Sequence, residues 1–239
     1  MKGALASYKV VPLGDKAVLV DICATLDLEV NLAIQRLAKA IQLRQPRWVR
    51  DVVPALGSLA LHLERRAVDR TSSPLDGVRK LVLECLEAGL PDLDALTRTV
   101  ELPVCYDAEF ALDAEEVARQ CGVAVPDVAR LHAGSSHRVL MVGFVPGHPY
   151  IGGLDARLSL PRRATPRQRV AVGSIAIANA QTVVYPFDSP SGWSVIGRTS
   201  EQIFDPARLP PALLGPGDRV KFVPIGRSEY EQRVRARQA

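Results

Sequence analysis

Apolar and polar positions change their period about halfway along the chain. In the first half, short alternating runs trade places with longer stretches of helical spacing. Tyr8–Leu13 and Ala17–Ile22 alternate as strands around Gly14-Asp15, a pair suited to a tight turn. From Leu28 to about Gln42, Val30, Ala33, Ile34, Leu37, Ala38 and Ile41 share one helical face, and Asp27 stands at the capping position. Trp48–Pro54 and Ser58–Leu63 read as two more strands around Ala55-Leu56-Gly57. A second helix starts near Pro74, sets Val78, Leu81, Val82 and Cys85 on one face, and stops at Gly89. Arg98–Cys105 alternates through Val100, Leu102 and Val104. The order ββαββαβ predicts a split βαβ, ferredoxin-like α+β layer, an antiparallel sheet with helices on one face.

The second half is punctuated differently. Asp113 with Glu116 three residues on predicts a capped short helix that carries Val117 and Cys121 and ends at Gly122. Another starts at Pro126, carries Val128 and Leu131 and ends near Gly134. Helical spacing then disappears. Strands are predicted at Val139–Val145, Ser174–Ala178, Gln181–Tyr185, Trp193–Thr199 and Arg219–Pro224, separated by Gly, Pro and Ser. Many short strands of this kind predict a closed or nearly closed β-barrel. The chain therefore divides into an α+β domain at 1–97, a mainly β barrel at 98–226 and a charged tail at 227–239.

Composition narrows the possible functions. A chain of 239 residues can bury full cores in two domains. Its net charge of +4 is too mild to indicate nucleic acid. No apolar run reaches the roughly 18 residues of a membrane span, and charges interrupt the N-terminal apolar stretch, so neither a span nor a signal peptide is predicted. Cys23, Cys85, Cys105 and Cys121 are scattered among apolar neighbours, without metal-ligand spacing. They predict buried free thiols in a cytoplasmic protein. His62, in an alternating strand, reads as a surface or packing residue. No metal site, Ser-His-Asp order or Gly-rich nucleotide loop is evident, so the chain alone is a poor candidate for a complete enzyme.

The densest chemistry follows the apolar run at Val139–Val145. Pro146, Gly147, Pro149, Gly152 and Gly153 predict a rigid, shaped loop, with the imidazole of His148 and the phenol of Tyr150 on it. Arg157, Arg162, Arg163, Arg167 and Arg169 lie within thirteen residues. Arginine's planar fork suits carboxylate or phosphate, so Arg163 and Arg167, in a loop stiffened by Pro161 and Pro166, are expected to bind a small anion. Gln181 and Tyr185 fall on one face of their strand and are expected to offer neutral hydrogen bonds.

Four motifs carry a family resemblance. They are the loop Pro146–Asp155, the segment Pro161–Pro186 (PRRATPRQRVAVGSIAIANAQTVVYP), Ser189–Thr199 (SPSGWSVIGRT) and Pro216–Ile225 (PGDRVKFVPI). In this order they resemble the prokaryotic family of 5-oxoprolinase B subunits, also called allophanate hydrolase subunit 1 or the KipI family. Asp51–Ala55 and Ser58–His62 extend the likeness into the first half. The resemblance implies a cyclophilin-like barrel behind the α+β domain. It implies a component that works only in a complex opening 5-oxoproline to glutamate, with ATP as co-substrate. The partners it implies are a companion C subunit (KipA, or allophanate hydrolase subunit 2, type) and an A subunit of LamB/YcsF type. Two alternatives stay open: an allophanate hydrolase or urea carboxyltransferase-like component, and a KipI-like inhibitor of a sensor histidine kinase. His148 stands where the family pattern has Phe, and Ser191 where SPGGW has Gly. Asn179 and Val183 lie in the segment usually written AG-QTGIYP. These departures bear on the substrate more than on the fold.

Overall fold

The computed structural model describes residues 5–64 and 73–238. The first residues of the stretch screened for a leader, and the last residue of the charged tail, lie outside them. The chain forms two compact units, Met1–Thr97 and Arg98–Ala239.

The first unit runs β1 (Lys9–Leu13), β2 (Ala17–Asp21), α1 (Leu28–Arg44), β3 (Val49–Pro54), β4 (Ser58–Leu63) and α2 (Pro74–Ala88). The Asp27 carboxylate accepts from the Glu29 and Val30 amides at 2.8 and 3.1 Å, so α1 starts as its sequence predicts. The sheet order is β1-β2-β4-β3, antiparallel throughout. Alternation turns Val18, Val20, Leu59 and Leu61 toward Ile34, Leu37 and Ile41 of α1 and Val78, Leu81 and Val82 of α2. Both helices therefore cover one face, as expected.

The split βαβ is present: β2 and β3 are joined through α1, run in the same direction and flank β4. One strand is corrected: the edge beside β2 is taken by β1, and β5 (Thr99–Cys105), expected to complete the sheet, belongs to the second unit. Leu102 through Cys105 are buried without alternation. That suits a strand covered on both faces rather than a sheet with one solvated side.

The second unit continues with α3 (Ala114–Cys121), α4 (Val125–Ala133), β6 (His137–Val142), β7 (Pro149–Gly152), a 3-10 turn (Ala156–Leu158) and β8 (Arg167–Val170). Then come β9 (Ser174–Ala178), β10 (Gln181–Val184), β11 (Ser189–Ser191), β12 (Ser194–Thr199), β13 (Arg219–Ile225) and α5 (Arg227–Gln238). Seven strands close a barrel in the order β10-β7-β6-β13-β5-β12-β9, and β8 and β11 form a separate ribbon. Among these barrel strands only β5 and β13 run parallel, paired from Thr99↔Arg219 to Cys105↔Ile225. Leu102, Val104, Val139, Ile151, Ile175, Ile177, Val184, Ile196 and Phe222 fill the interior with Val117 of α3 and Val128 and Leu131 of α4. The barrel is a packed core, not a channel. The charged tail is helix α5, held to its own unit by Arg227–Glu109 at 2.8 Å and a Phe110–Tyr230 ring contact at 4.6 Å.

Where β7 leaves for the 3-10 turn, Gly153 has φ +88°, and a Cβ there would lie 2.0 Å from the Ser136 carbonyl oxygen. Both the dihedral and the backbone contact exclude a side chain. Gly153→Ala should therefore lower stability by about 2 kcal/mol or more. Urea unfolding followed by circular dichroism measures this, and an unchanged midpoint would mean that the β6–β7 corner can be rebuilt without cost.

Candidate functional site

Strand alternation gives the barrel a second apolar surface, on its outside. Ile175 and Ile177 of β9 point in, so Ala176 and Ala178 point out; likewise Val183 and Tyr185 of the β10 edge, and Val195 of β12, face outward. The two alanines leave room, and Val170 of the β8–β11 ribbon, Trp193 and Tyr150 pack into it. A polar and aromatic cluster grows on this face.

His148 is its centre. The ring is 3% exposed and makes edge contacts with Tyr150 at 5.1 Å, Tyr185 at 5.2 Å and Phe144 at 5.7 Å. Its Nδ1 is buried without a hydrogen-bond partner. Burial lowers its pKa to about 4, so the imidazole is neutral near pH 7. Tyr185 shares a hydrogen bond with Ser191, whose hydroxyl also accepts from the Trp193 amide at 2.9 Å. Burial raises the pKa of Tyr150 and of Tyr185, and the positive charge of Arg162 partly offsets both. The Arg162 guanidinium lies over the Trp193 ring, 5.7 Å from its centroid. Phe144 at the tip of the β6–β7 turn is 71% exposed with φ +76°, an uncommon conformation for an aromatic residue. Backbone strain of this kind concentrates at functional sites.

A buried ion cluster holds the neighbouring segments. The Asp113 carboxylate accepts from Arg163 Nη1 at 2.5 Å, Arg167 Nη2 at 2.6 Å and the Val195 amide at 2.8 Å. The Asp113 amide in turn donates to the Val195 carbonyl at 2.9 Å. Asp113 occupies the N-cap position of α3, yet its side chain makes no capping hydrogen bond. Glu116 pairs with Arg119 at 2.6 Å instead of reaching back to the cap. The expected capping box is thus replaced by a long-range network, because two guanidinium groups and a strand amide compete for the carboxylate and win it.

The expected site residues fall as follows. His148, Tyr150 and Tyr185 meet directly. Gln181 is buried at the start of β10, on the outward side shared with Val183 and Tyr185. Pro149 and Gly152 belong to strand β7 rather than to a loop, while Pro146 and Gly147 form the turn before it. Gly147 has φ +74°, and a Cβ there would meet Phe204 at 2.7 Å. Arg167 opens strand β8 instead of lying in a loop, and with Arg163 it faces Asp113. Sequence reasoning missed Asp113 as a site-organising acid, Arg162 as the arginine beside the aromatic rings, and Ser191 as the partner of Tyr185. Only the departure of Ser191 from a glycine pattern pointed toward the last.

A separate polar network crosses the barrel core. The Tyr106 hydroxyl and His132 Nδ1 lie 2.7 Å apart, and His132 Nε2 is 3.2 Å from Thr182 Oγ1. His137 Nε2 donates to the His132 carbonyl at 2.7 Å. Burial lowers the pKa of both histidines and raises that of Tyr106. Apart from His137 Nδ1, which is buried without a partner, the polar atoms of this network pair within the core and link α4 to the barrel wall.

An antiparallel α+β layer and a closed barrel with a polar, aromatic outer face define the architectural class. The chain belongs to the family of the carboxyltransferase domain, subdomain C and D, whose model matches residues 8–214. It is 36% identical over 228 residues to the 5-oxoprolinase B subunit of Bacillus subtilis (strain 168), covering 93% of this chain and 95% of that protein. The protein of the same name from Escherichia coli O157:H7 is 37% identical, with 89% and 94% covered. Among solved structures, TTHA0988 matches with TM-score 0.72 and 34% identity over 88% of this chain, which spans 40% of that longer chain. PH0987 from Pyrococcus horikoshii matches with TM-score 0.55 and 36% identity, covering 93% of this chain and all of that one. Urea amidolyase of K. lactis, at 20% identity and TM-score 0.69, shares the fold.

Two outcomes test this geometry. Asp113→Asn leaves two partly buried guanidinium groups facing an amide and should cost about 3 kcal/mol in urea unfolding; a loss below about 0.5 kcal/mol, the scale of an exposed pair, would remove its central role. His148 has a folded pKa of about 4, below the ordinary imidazole value of 6.5. The unfolded chain therefore binds more protons in that window, and stability falls as pH drops from 6.5 toward 4. His132 and His137 slope the same way. His148→Phe should shrink the acid-induced loss between pH 7 and pH 4 by about 3 kcal/mol, and identical pH profiles for both proteins would contradict a buried neutral imidazole.

Proposed function

We infer that this chain is the B subunit of an ATP-dependent 5-oxoprolinase, which opens the lactam of 5-oxoproline to L-glutamate. The observation that carries this reading is the extent of the match: two relatives named as the B subunit of 5-oxoprolinase align over 89–93% of this chain and 94–95% of their own lengths. The likeness therefore runs over nearly the full length of both relatives, not over one shared domain. On this reading the barrel is cyclophilin-like, and the complex is cytoplasmic.

The work divides among the proteins of the complex. Lactam opening breaks the ring C–N bond and adds water, and ATP hydrolysis drives it. This chain contributes the outer barrel face. Tyr150, Gln181 and Tyr185 supply neutral hydrogen-bonding groups, and His148, neutral by burial, supplies an acceptor or a donor without charge. Arg163 and Arg167 outnumber Asp113 two to one, so the segment beside this face keeps excess positive charge for an anionic substrate. The companion C subunit, of KipA type, and an A subunit of LamB/YcsF type complete the enzyme.

Co-expression with the two companion proteins tests the proposal. The chain should co-elute with the KipA-type companion in size exclusion, and phosphate release from ATP should depend on 5-oxoproline and on all three proteins. Separate elution at micromolar concentration, or ATP hydrolysis indifferent to 5-oxoproline, would refute it.

A further inference from the structure

We infer that Arg162 is the carboxylate-binding, specificity-determining residue of the outer barrel face, seating a small ring compound that bears a single carboxylate and an amide. This rests on the proposed function for the identity of the ligand, but its argument is geometric.

Five arginines lie between positions 157 and 169, and four are engaged. Arg157 pairs with Asp155 at 2.8 Å, Arg163 and Arg167 with Asp113 at 2.5 and 2.6 Å, and Arg169 with Asp188 at 2.5 Å. Among the described residues no carboxylate lies within ion-pair distance of Arg162. Its guanidinium instead lies over Trp193, 5.7 Å from the ring centroid, a contact that uses no N–H donor in an ion pair. The Asp113 network fixes this placement. The next residue, Arg163, is held both by Asp113 and by its own amide, which donates to the Gly192 carbonyl at 2.7 Å, beside Trp193.

The second observation is the imidazole. His148 Nδ1 is buried and unpartnered, and Tyr150 bridges it to Trp193, with ring centroids 5.1 and 6.1 Å away. A buried polar atom without a partner is costly, and His148 Nδ1 differs from the other such atoms in lying among the aromatic rings of the outer face, where a ligand can complete its hydrogen bonding. In the Nε2–H tautomer Nδ1 is an acceptor, suited to an amide N–H. The face thus offers one unpaired cation, one neutral acceptor and two phenols between aromatic walls. One guanidinium matches one carboxylate. A triphosphate would bring several negative charges to the one arginine of this segment without an ion-pair partner, so the face suits a monocarboxylate better than ATP.

Isothermal titration of the assembled complex of three proteins decides the matter, using 5-oxoproline and 5-oxoprolinamide, which has an uncharged carboxamide in place of the carboxylate. Arg162→Ala should weaken 5-oxoproline binding by about ten- to a hundredfold, the loss expected for one charge-assisted contact. Arg162→Lys should recover only part of it. Binding of 5-oxoprolinamide should not change, and Arg169→Ala should match the unmodified complex. Arg162 is exposed, so its removal should leave folding intact, which size exclusion and melting temperature confirm. Equal 5-oxoproline affinity with and without the Arg162 guanidinium overturns the inference. If the complex ignores 5-oxoproline but binds proline or dihydroorotate in an Arg162-dependent manner, the inference stands and the 5-oxoprolinase reading falls. If none of these monocarboxylates binds, the inference is overturned.

Discussion

One buried carboxylate organises the second unit. Asp113 sits at the start of α3 and gathers donors from Arg163, from Arg167 and from the backbone of Val195. A carboxylate shielded from water is stable only when its lone pairs are filled by well-placed donors. That requirement ties the helical cap of the barrel, the arginine segment and strand β12 to one point. It also determines which arginines are available for other work, because a guanidinium turned toward Asp113 has fewer donors left for a ligand.

The outer face depends on this tie and on a local contrast of size. Ala176 and Ala178 are small where Ile175 and Ile177 are large, so the same strand that fills the barrel makes a shallow seat outside it. Aromatic rings occupy the seat edge to face, an arrangement that fixes orientation as well as burying area. His148 is neutral for the same reason that Tyr150 and Tyr185 resist ionisation: all three are withdrawn from water. Fixed positive charge reaches this face through Arg162, whose guanidinium lies over the Trp193 ring.

Elements with strong internal patterns were legible in the sequence. Strand β9 covers Ser174–Ala178 as expected, and α1 begins after the Asp27 cap. Three strands were not legible. β7, β8 and β11 are three or four residues long, carry Pro, Gly or alternating arginines, and are defined by partners distant in sequence rather than by their own periodicity. The split βαβ of the first unit was legible, but β5 was counted with it because its sequence alternates well enough to join either sheet, and only its two-sided burial shows where it belongs. Asp113 was misread for a related reason. Asp followed by Glu three residues on is a sound local signal, but the competing partners lie 50, 54 and 82 positions away. His148, Tyr150 and Tyr185 were legible as candidates because their side chains are unusual in apolar strand ends, whereas Arg162 was indistinguishable from its neighbours until their pairing was known.

The parallel pairing of β5 with β13 has a consequence for how the chain is made. β13 inserts between β5 and β6, yet Arg219 is synthesised 120 positions after its partner Thr99. At roughly 5–20 residues per second, the first barrel strand waits on the order of ten seconds for the strand that covers it. During that interval the edges of β5 and β6 are open, each a template for pairing with another chain. Closure of the barrel is thus a late, non-local event, slow by the loop entropy it must overcome. Any surface that exists only in the closed barrel therefore forms after synthesis has passed Ile225, its timing set by the position of one strand.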